Sequence, residues 1–410
     1  MATNLKKIPV ADLRQGMFLH AFDSSWLSNP FWRSKFLLAD DAKLKAALAS
    51  GIAECWIDLA RGDDVAAPAA AAETAGTVTT VVATDPPAAT APSTAFEREL
   101  HHAAALCAQA REATESMFRE ARLGNAIDAD QCAELVEELA QSVTRNPGAL
   151  ISLARLKSKD DYTYMHSVAV CALMVGLGQS LGLDEAACRE AGLAGLLHDL
   201  GKAGIPLEIL NKPGKLSAAE FDQMCHHPRH GYELLREGDN VSAGVADVCL
   251  HHHEKFDGSG YPDHLAGNAI SLYARMGAVC DVYDAITSDR PYKAGWDPSE
   301  SVACMLEWKG HFDPAVLSAF VKLLGIYPVG TLVRLQSQRL AIVVEQNKAA
   351  LTKPVVKAFF SLATRTRIAH ERIDLAAATT RDAIAAREPR EPWAFDDLEQ
   401  IWAGDAARRH

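Results

Sequence analysis

A His-Asp pair within an apolar helical segment is the feature that most restricts how this chain can fold. His198-Asp199 lies in the leucine-rich stretch 193–200, with Asp184 upstream as a candidate N-cap and Gly201 as a candidate helix stop. An isolated pair of this kind is more often a partner of the helix dipole or a surface pair. Here the leucines predict a buried helix end, and a buried charge needs a partner, for which a metal ion is the natural choice. The fold must therefore bring further ligands to this point.

Further metal-binding side chains follow in the sequence. His252-His253-Glu254 precedes the loop 257–262, which reads Asp-Gly-Ser-Gly-Tyr-Pro, and Asp281 follows it. First-row metals take several imidazoles and carboxylates from different segments, and a carboxylate beside a ligating histidine can bridge a second ion. The set is typical of a two-metal hydrolase, and a solvated polar helix face is the alternative for the histidine run. His251 would point away from its neighbours on a helix, so we exclude it from the ligands.

Four motifs in this order resemble those of the HD-GYP subgroup of HD-domain phosphohydrolases. They are His198-Asp-Leu-Gly-Lys202, His227-Pro228 with Gly231, His252-His253-Glu254-Lys-Phe-Asp257-Gly258-Ser-Gly260-Tyr261-Pro262, and Asp281-Val-Tyr-Asp284-Ala-Ile-Thr-Ser-Asp289-Arg290-Pro291-Tyr292-Lys293. The resemblance covers residues 147–325. It implies a mainly α chain with an all-helical HD-domain core, acting as a bacterial metal-dependent phosphodiesterase that opens the signalling dinucleotide cyclic di-GMP. The expected product is linear pGpG, with GMP from a second cut.

The resemblance also implies how two metals are held. One metal is expected to take His166, His198, Asp199 and Asp281, and the second to take Asp199, His227, His252 and His253. Such a carboxylate-bridged, imidazole-rich site suits iron or manganese, with zinc or nickel as substitutes in vitro. Two cations lower the pKa of a bridging water, so that hydroxide attacks the phosphate in line. Tyr162 stands where some family members carry a Glu ligand for a third metal, so we expect two metals and not three.

Substrate-binding roles follow from the same resemblance, with Asp199 and Lys202 as the expected catalytic residues. The loop that contains Tyr261 would border the substrate and contact diguanylate cyclases of the GGDEF type, and a plain structural turn is the alternative. The assignments are Lys202, Arg290 and Lys293 for the substrate phosphates, Gly260, Tyr261 and Pro262 for the bordering loop, and Glu254 and Asp284 for orienting imidazoles or lysines.

Composition excludes some partners and predicts a compartment. Lys and Arg number 41 against 53 Asp and Glu, a net charge of −12, which argues against a nucleic-acid polymer or an anionic membrane as the main partner. Nine cysteines form no Cys-x-x-Cys pair, and residues 1–7 lack the apolar core of a signal peptide. The longest apolar run, 168–177, is about half of the ~20 residues that a membrane span requires. We therefore expect reduced thiols, a cytoplasmic location and no membrane span.

Patterning along the chain predicts six segments. Residues 1–64 form a small α+β module, similar to the module of unassigned role that precedes some HD-GYP domains, on the strength of 17–20, 30–31 and 52–62. Within it, Trp26, Phe31, Trp32 and Trp56 are predicted core residues, with a ligand site as the alternative. The other segments are an Ala/Pro/Thr-rich flexible linker (65–95), a connector of two helices (96–146), the catalytic domain (147–325), a β meander (326–386) and a charged, partly mobile tail (387–410).

Three alternatives stay open. The connector helices could pack against the catalytic core or form the seam of a homodimer, and the first is favoured because too few heptads persist for a coiled coil. A non-catalytic nucleotide sensor would show a lost ligand or a broken Gly-Tyr-Pro motif, and neither is present. Another cyclic dinucleotide or a nucleoside phosphate remains a substrate alternative, because metal ligands contact phosphate and not base.

Overall fold

The computed structural model describes residues 5–22, 36–39, 41–48, 52–64, 95–125, 127, 129–157, 162–212, 214–238, 240–288, 295–347, 349–390, 392–393 and 395–408. They belong to two compact units, Met1–Ala95 and Phe96–His410. The predicted linker, apart from its last residue, lies outside the described residues, as do Trp26, Phe31, Trp32, Arg290 and Lys293.

The first unit is the predicted α+β module. An antiparallel sheet in the order β1-β4-β2-β3 carries one helix, and alternate residues of its strands face an apolar core that includes Ile8, Leu19 and Ile57. Trp56 was predicted to be a core residue, but it lies outside this core. It is half-buried between two buried neighbours of the same strand and lies near Lys7. The elements are β1 (Leu5–Pro9), β2 (Phe18–Phe22), β3 (Phe36–Leu37), α1 (Asp41–Leu48) and β4 (Glu54–Asp58).

The second unit begins with an all-helical core. Its helices are α2 (Ala95–Arg122), α3 (Ala129–Arg145), α4 (Pro147–Ala154), α5 (Tyr162–Ser180), α6 (Glu185–Leu197), α7 (Leu207–Leu210), α8 (Ala218–Met224), α9 (His227–Arg236), α10 (Ala243–His251), α11 (Leu272–Thr287), α12 (Pro298–Glu307) and α13 (Pro314–Leu324). The predicted N-cap forms, since the Asp184 side chain caps α6. Ser217 and Glu220 make a capping box on α8, and Asp313 caps α13.

Helix α5 is the centre of this core. It is buried continuously from Met165 to Gly178 and packs against α3, α4, α6, α11 and α13. Glycines allow α6 to approach closely, since a Cβ on Gly195 would lie 2.9 Å from the Val170 carbonyl oxygen. The two connector helices form as α2 and α3, and α3 packs against α5 and α6.

A five-stranded antiparallel sheet follows, in the order β8-β7-β6-β5-β9. The first four strands form the predicted meander, but the fifth returns to pair with the far edge of β5. The charged tail was expected to be partly mobile, but it contains a packed helix, α14 (Leu398–Ala403). This helix contacts β6, and its residues Ile401 and Trp402 are buried. The strands are β5 (Leu332–Leu335), β6 (Arg339–Glu345), β7 (Val355–Ser361), β8 (Thr366–Asp374) and β9 (Ile384–Arg387).

Among the described helices, none combines the length and apolar character needed to cross a membrane. Seven of the nine cysteines are buried, which agrees with the expectation of core residues.

Candidate metal centre

Residues at or near helix ends, together with Asp281 from within α11, form the cluster of predicted metal ligands. His166 comes from the second turn of α5, and His198-Asp199 follow the last residue of α6. The others are His227 at the first position of α9, His252 and His253 directly after α10, and Asp281 in α11. Apart from His253, whose side chain is 23% exposed, each of these residues is at most 7% exposed. Such burial of imidazoles and carboxylates is costly unless they are bound to partners.

Asp199 divides these side chains into two groups. Its Oδ2 lies 3.5 Å from His166 Nε2 and 3.3 Å from His198 Nε2, and Asp281 Oδ1 lies 3.0 Å from the same His166 nitrogen. The other carboxylate oxygen of Asp199, Oδ1, lies 3.2 Å from His227 Nε2 and 3.8 Å from His252 Nε2. Two clusters could therefore each hold an ion, His166 with His198 and Asp199, and Asp199 with His227, His252 and His253.

Backbone carbonyls fix the tautomers of three histidines. The Nδ1 atoms of His198, His227 and His252 lie 2.7, 2.7 and 3.0 Å from carbonyl oxygens one helical turn earlier. A carbonyl oxygen only accepts, so each Nδ1 carries the proton and each Nε2 presents a lone pair to the centre.

Without a cation these acceptors face one another. His227 Nε2 and His252 Nε2 are 3.4 Å apart, and within the described part of the chain His198 Nε2 and Asp199 Oδ1 are buried with no hydrogen-bond partner. Buried acceptors of this kind call for a cation. The residues present thus fit a metal centre.

Protonation states agree with this fit. Burial would raise the pKa of Asp199, but Lys202 and His198 outweigh it and hold that pKa well below its usual range. Burial, with neighbouring imidazoles, lowers the pKa of His252 well below its usual value, and burial lowers that of His253 to about 3. At neutral pH the imidazoles of His252 and His253 are therefore neutral and the Asp199 carboxylate is ionised, which are the forms that bind metals.

Behind His166 lies a buried ion pair. The Nδ1 of His166 donates to Asp284 Oδ2 at 2.6 Å. The same carboxylate oxygen accepts from the Lys157 ammonium, which also donates to Ser288 Oγ at 3.0 Å. The Asp284 carboxylate therefore contacts both an imidazole and a lysine, the two kinds of group that it was expected to orient. Lys157 was missed, because a single lysine outside the motifs carries no sequence signal, although its side chain is fully buried.

The Gly-Tyr-Pro loop closes one side of the centre. The Tyr261 ring lies 4.8 Å from the His253 ring, and a Cβ on Gly260 would come within 2.3 Å of the Lys255 nitrogen, so only glycine fits there. Among the described residues no hydrogen bond joins Glu254 to an imidazole or a lysine, and its Oε1 instead accepts from the Asp263 backbone at 2.7 Å, which holds this loop.

The other side chains discussed from the sequence lie around the metal centre or outside the described residues. Lys202 donates to Asp199 Oδ2 and is 20% exposed, so its ammonium reaches the open side of the centre. His251 pairs with Asp247 and Asp263 and stays out of the cluster, as predicted. The Tyr162 ring stacks on His166 with the ring centroids 5.8 Å apart. Arg290 and Lys293 are outside the described residues, so their expected role remains a prediction.

Comparison with known proteins places the chain in a family. The HD domain profile matches residues 134–316, and the profile of a domain of unknown function, DUF3391, matches residues 5–132. A cyclic di-GMP phosphodiesterase of Pseudomonas aeruginosa is 52% identical over 98% of this chain and 96% of its own length. The chain belongs to the HD-GYP family of phosphodiesterases.

Two further proteins resemble this HD-GYP phosphodiesterase over different lengths. A cyclic di-GMP phosphodiesterase response regulator of Xanthomonas campestris is 46% identical over 36% of this chain and 39% of its own. Among solved structures, an HDG"Y"P protein from Bdellovibrio bacteriovorus aligns with 78% of this chain and 99% of its own, at 14% identity and a TM-score of 0.45. The HD profile starts within α3, before the predicted domain start at 147.

Proposed function

We propose that this phosphodiesterase hydrolyses cyclic di-GMP to linear pGpG at a two-metal centre, with GMP formed by a second cut. The observation that carries the proposal is the position of Asp199, whose two carboxylate oxygens face two different groups of imidazoles. The near full-length similarity to the cyclic di-GMP phosphodiesterase of Pseudomonas aeruginosa supports the choice of substrate.

Seven side chains would hold the metals. His166, His198, Asp199 and Asp281 would bind one ion, and Asp199, His227, His252 and His253 the other. Mixed imidazole and carboxylate donors suit iron or manganese. When bound, two divalent ions supply acidity to water and neutralise charge on the phosphate.

The protein's own residues would position the substrate. The Lys202 ammonium has three donors, so it can keep its bond to Asp199 and also donate to a phosphate oxygen from its exposed side. Arg290 and Lys293 are the further proposed phosphate ligands, and the guanidinium can bind two phosphate oxygens at once. Tyr261, packed over His253, would border the substrate together with Gly260 and Pro262 and limit the entry of water.

Anaerobic purification, loading with iron or manganese, and chromatography of the products test this function directly. We expect cyclic di-GMP to be converted to pGpG, which accumulates before GMP appears. Failure of the metal-loaded protein to open cyclic di-GMP would contradict the proposal, as would faster hydrolysis of cyclic di-AMP.

The proposal extends to protein partners. Asp263 and His264 are exposed beside the Gly-Tyr-Pro loop, where a GGDEF-type diguanylate cyclase would dock, and a second copy of the chain would associate along α2. Light scattering coupled to size-exclusion chromatography, with and without such a cyclase, checks both. A monomer that never co-elutes with the cyclase would contradict them.

A further inference from the structure

A pocket of about 280 Å³ lies in the second unit, apart from the imidazole cluster. It is open where the end of α11 meets the segment that follows β9, and its lining includes Arg155, Thr287, Trp296, Asp297, Arg390 and Glu399. None of these residues belongs to the predicted metal or substrate set. The pocket is slightly smaller than the ~300–1,000 Å³ typical of drug-sized ligands, so it suits a single base and not a whole dinucleotide.

Two guanidinium groups in the pocket have unused donors. Arg155 makes one long hydrogen bond, to the Val329 carbonyl oxygen at 3.4 Å, and forms no ion pair with any carboxylate of the described residues. Arg390 donates to Glu399 and to the Gly330 carbonyl oxygen, both at 2.7 Å, while its Nε is buried with no partner in the described part of the chain. Burial, with a smaller contribution from Arg390, lowers the pKa of Arg155, and the carboxylates of Asp297 and Glu399 oppose this shift.

A carboxylate in the same pocket has an unused acceptor. Asp297 caps α12 through Oδ1 alone, which accepts from the backbone of Ser299 at 2.9 Å and from its hydroxyl at 2.6 Å. The other oxygen, Oδ2, is buried and has no hydrogen-bond partner among the described residues. An unsatisfied buried donor or acceptor destabilises the protein, so a bound group that pairs with both kinds would stabilise the pocket.

Guanine has the matching edges. Its N1–H and N2–H₂ donate and would meet the free carboxylate oxygen, and its O6 and N7 accept and suit a guanidinium fork. Trp296 supplies an aromatic surface of the kind on which bases stack. A bare phosphate would satisfy the guanidinium groups but would meet the carboxylates of Asp297 and Glu399. Adenine would present the acceptor N1 to Asp297.

We propose that this pocket binds the guanine base of a guanine nucleotide. The base could belong to the substrate, in which case the inference rests on the proposed function, or to a separately bound nucleotide. The pocket is close enough to the metal centre for a base of the substrate to reach it, and it also has room for a separate nucleotide base. Thr287, which lines the pocket, lies six residues after Asp281 on α11, a rise of roughly 9 Å. Lys157 lines the same pocket and donates to Asp284, which connects the pocket to His166.

Calorimetric titration of the metal-loaded protein with guanosine and with adenosine tests the inference, because nucleosides carry no phosphate that could bind at the metal centre. Asp297→Asn keeps the capping oxygen, since Asn is an equally good N-cap, and replaces the free acceptor with a donor. We expect it to weaken guanosine binding by about tenfold or more without weakening adenosine binding. Arg390→Gln should weaken guanosine binding as well. The matched control is Asp184→Asn, the same change at the N-cap of α6, which should have no effect.

Guanosine binding that is absent, or that is unchanged in Asp297→Asn, would overturn the inference and leave a water-filled pocket. Competitive inhibition of cyclic di-GMP hydrolysis by guanosine would identify the base as the substrate's, and non-competitive inhibition would identify a separate nucleotide. If guanosine binds through Asp297 while cyclic di-GMP is not hydrolysed, the proposed function fails and the pocket stands.

Discussion

Two lysines near the metal centre form ion pairs with carboxylates, and their side chains differ in solvent exposure. Lys157 is fully buried and bridges Asp284 and Ser288, whereas Lys202 is 20% exposed beside Asp199. A buried ion pair is needed for stability once it is formed, because removing one partner leaves the other charge buried and uncompensated. A partly exposed ammonium can meet a ligand. The two residues should therefore respond differently to substitution.

Lys202→Ala should keep the metals and lose substrate affinity or turnover, because Asp199 remains with its imidazoles while one phosphate contact is removed. Metal analysis combined with steady-state kinetics on cyclic di-GMP measures both effects. A variant that loses metal would assign Lys202 to the structure of the centre and not to the substrate.

Lys157→Met should destabilise the second unit by about 3–5 kcal/mol, because it leaves the Asp284 carboxylate buried without its cation. Urea unfolding followed by far-ultraviolet circular dichroism gives the free energy of unfolding. An unchanged unfolding midpoint would show that the ion pair is not structural.

Short elements depend on close backbone approaches that a motif alone does not reveal. The sequence predicts Gly201 as the stop of α6, but that helix ends at Leu197 and Gly201 lies within a following 3-10 helix, Leu200–Gly204. A Cβ at Gly201 would lie 1.9 Å from the His227 carbonyl oxygen and 2.5 Å from the Gly231 nitrogen. The glycine thus lets the segment that carries Asp199 and Lys202 reach α9.

Gly201→Ala should therefore displace α9 and lower both metal content and activity. The matched control is Gly182→Ala, where φ is +79° and no atom lies within 4 Å of the added Cβ, so that only a backbone penalty of about 1–2 kcal/mol applies. Metal analysis of both variants separates the effects. Full metal content in Gly201→Ala would contradict this reading of the contact.

Across the whole molecule, what the sequence predicts depends on how local the signal is. Helical periodicity, caps and the motif order predict the α-helical core and its ligand set, since each rests on neighbouring residues. The buried role of Lys157 and the pairing of β9 with β5 depend on contacts between distant segments. Helix α14 was missed because its six residues stand within a charged tail, although Ile401 and Trp402 are buried.

Ending the chain after Glu388 should destabilise the second unit while leaving the metal ligands in place. It removes the buried side chains Leu398, Ile401 and Trp402, and burial of Leu or Ile alone contributes roughly 1.5–3 kcal/mol each. We expect Tm to fall by about 5 °C or more in scanning calorimetry. An unchanged Tm would mean that the C-terminal segment does not support the fold.

The central claim is a centre for two metals that share Asp199, and its most direct test is the number of metal ions per chain in anaerobically purified wild type and Asp199→Ala. We expect about two ions in the wild type, because Tyr162 offers a phenol where a third metal would need a carboxylate ligand. Asp199→Ala should lower the metal content and abolish hydrolysis, because its carboxylate faces both groups of imidazoles. Three ions in the wild type, or full metal content and near wild-type turnover in Asp199→Ala, would contradict the account.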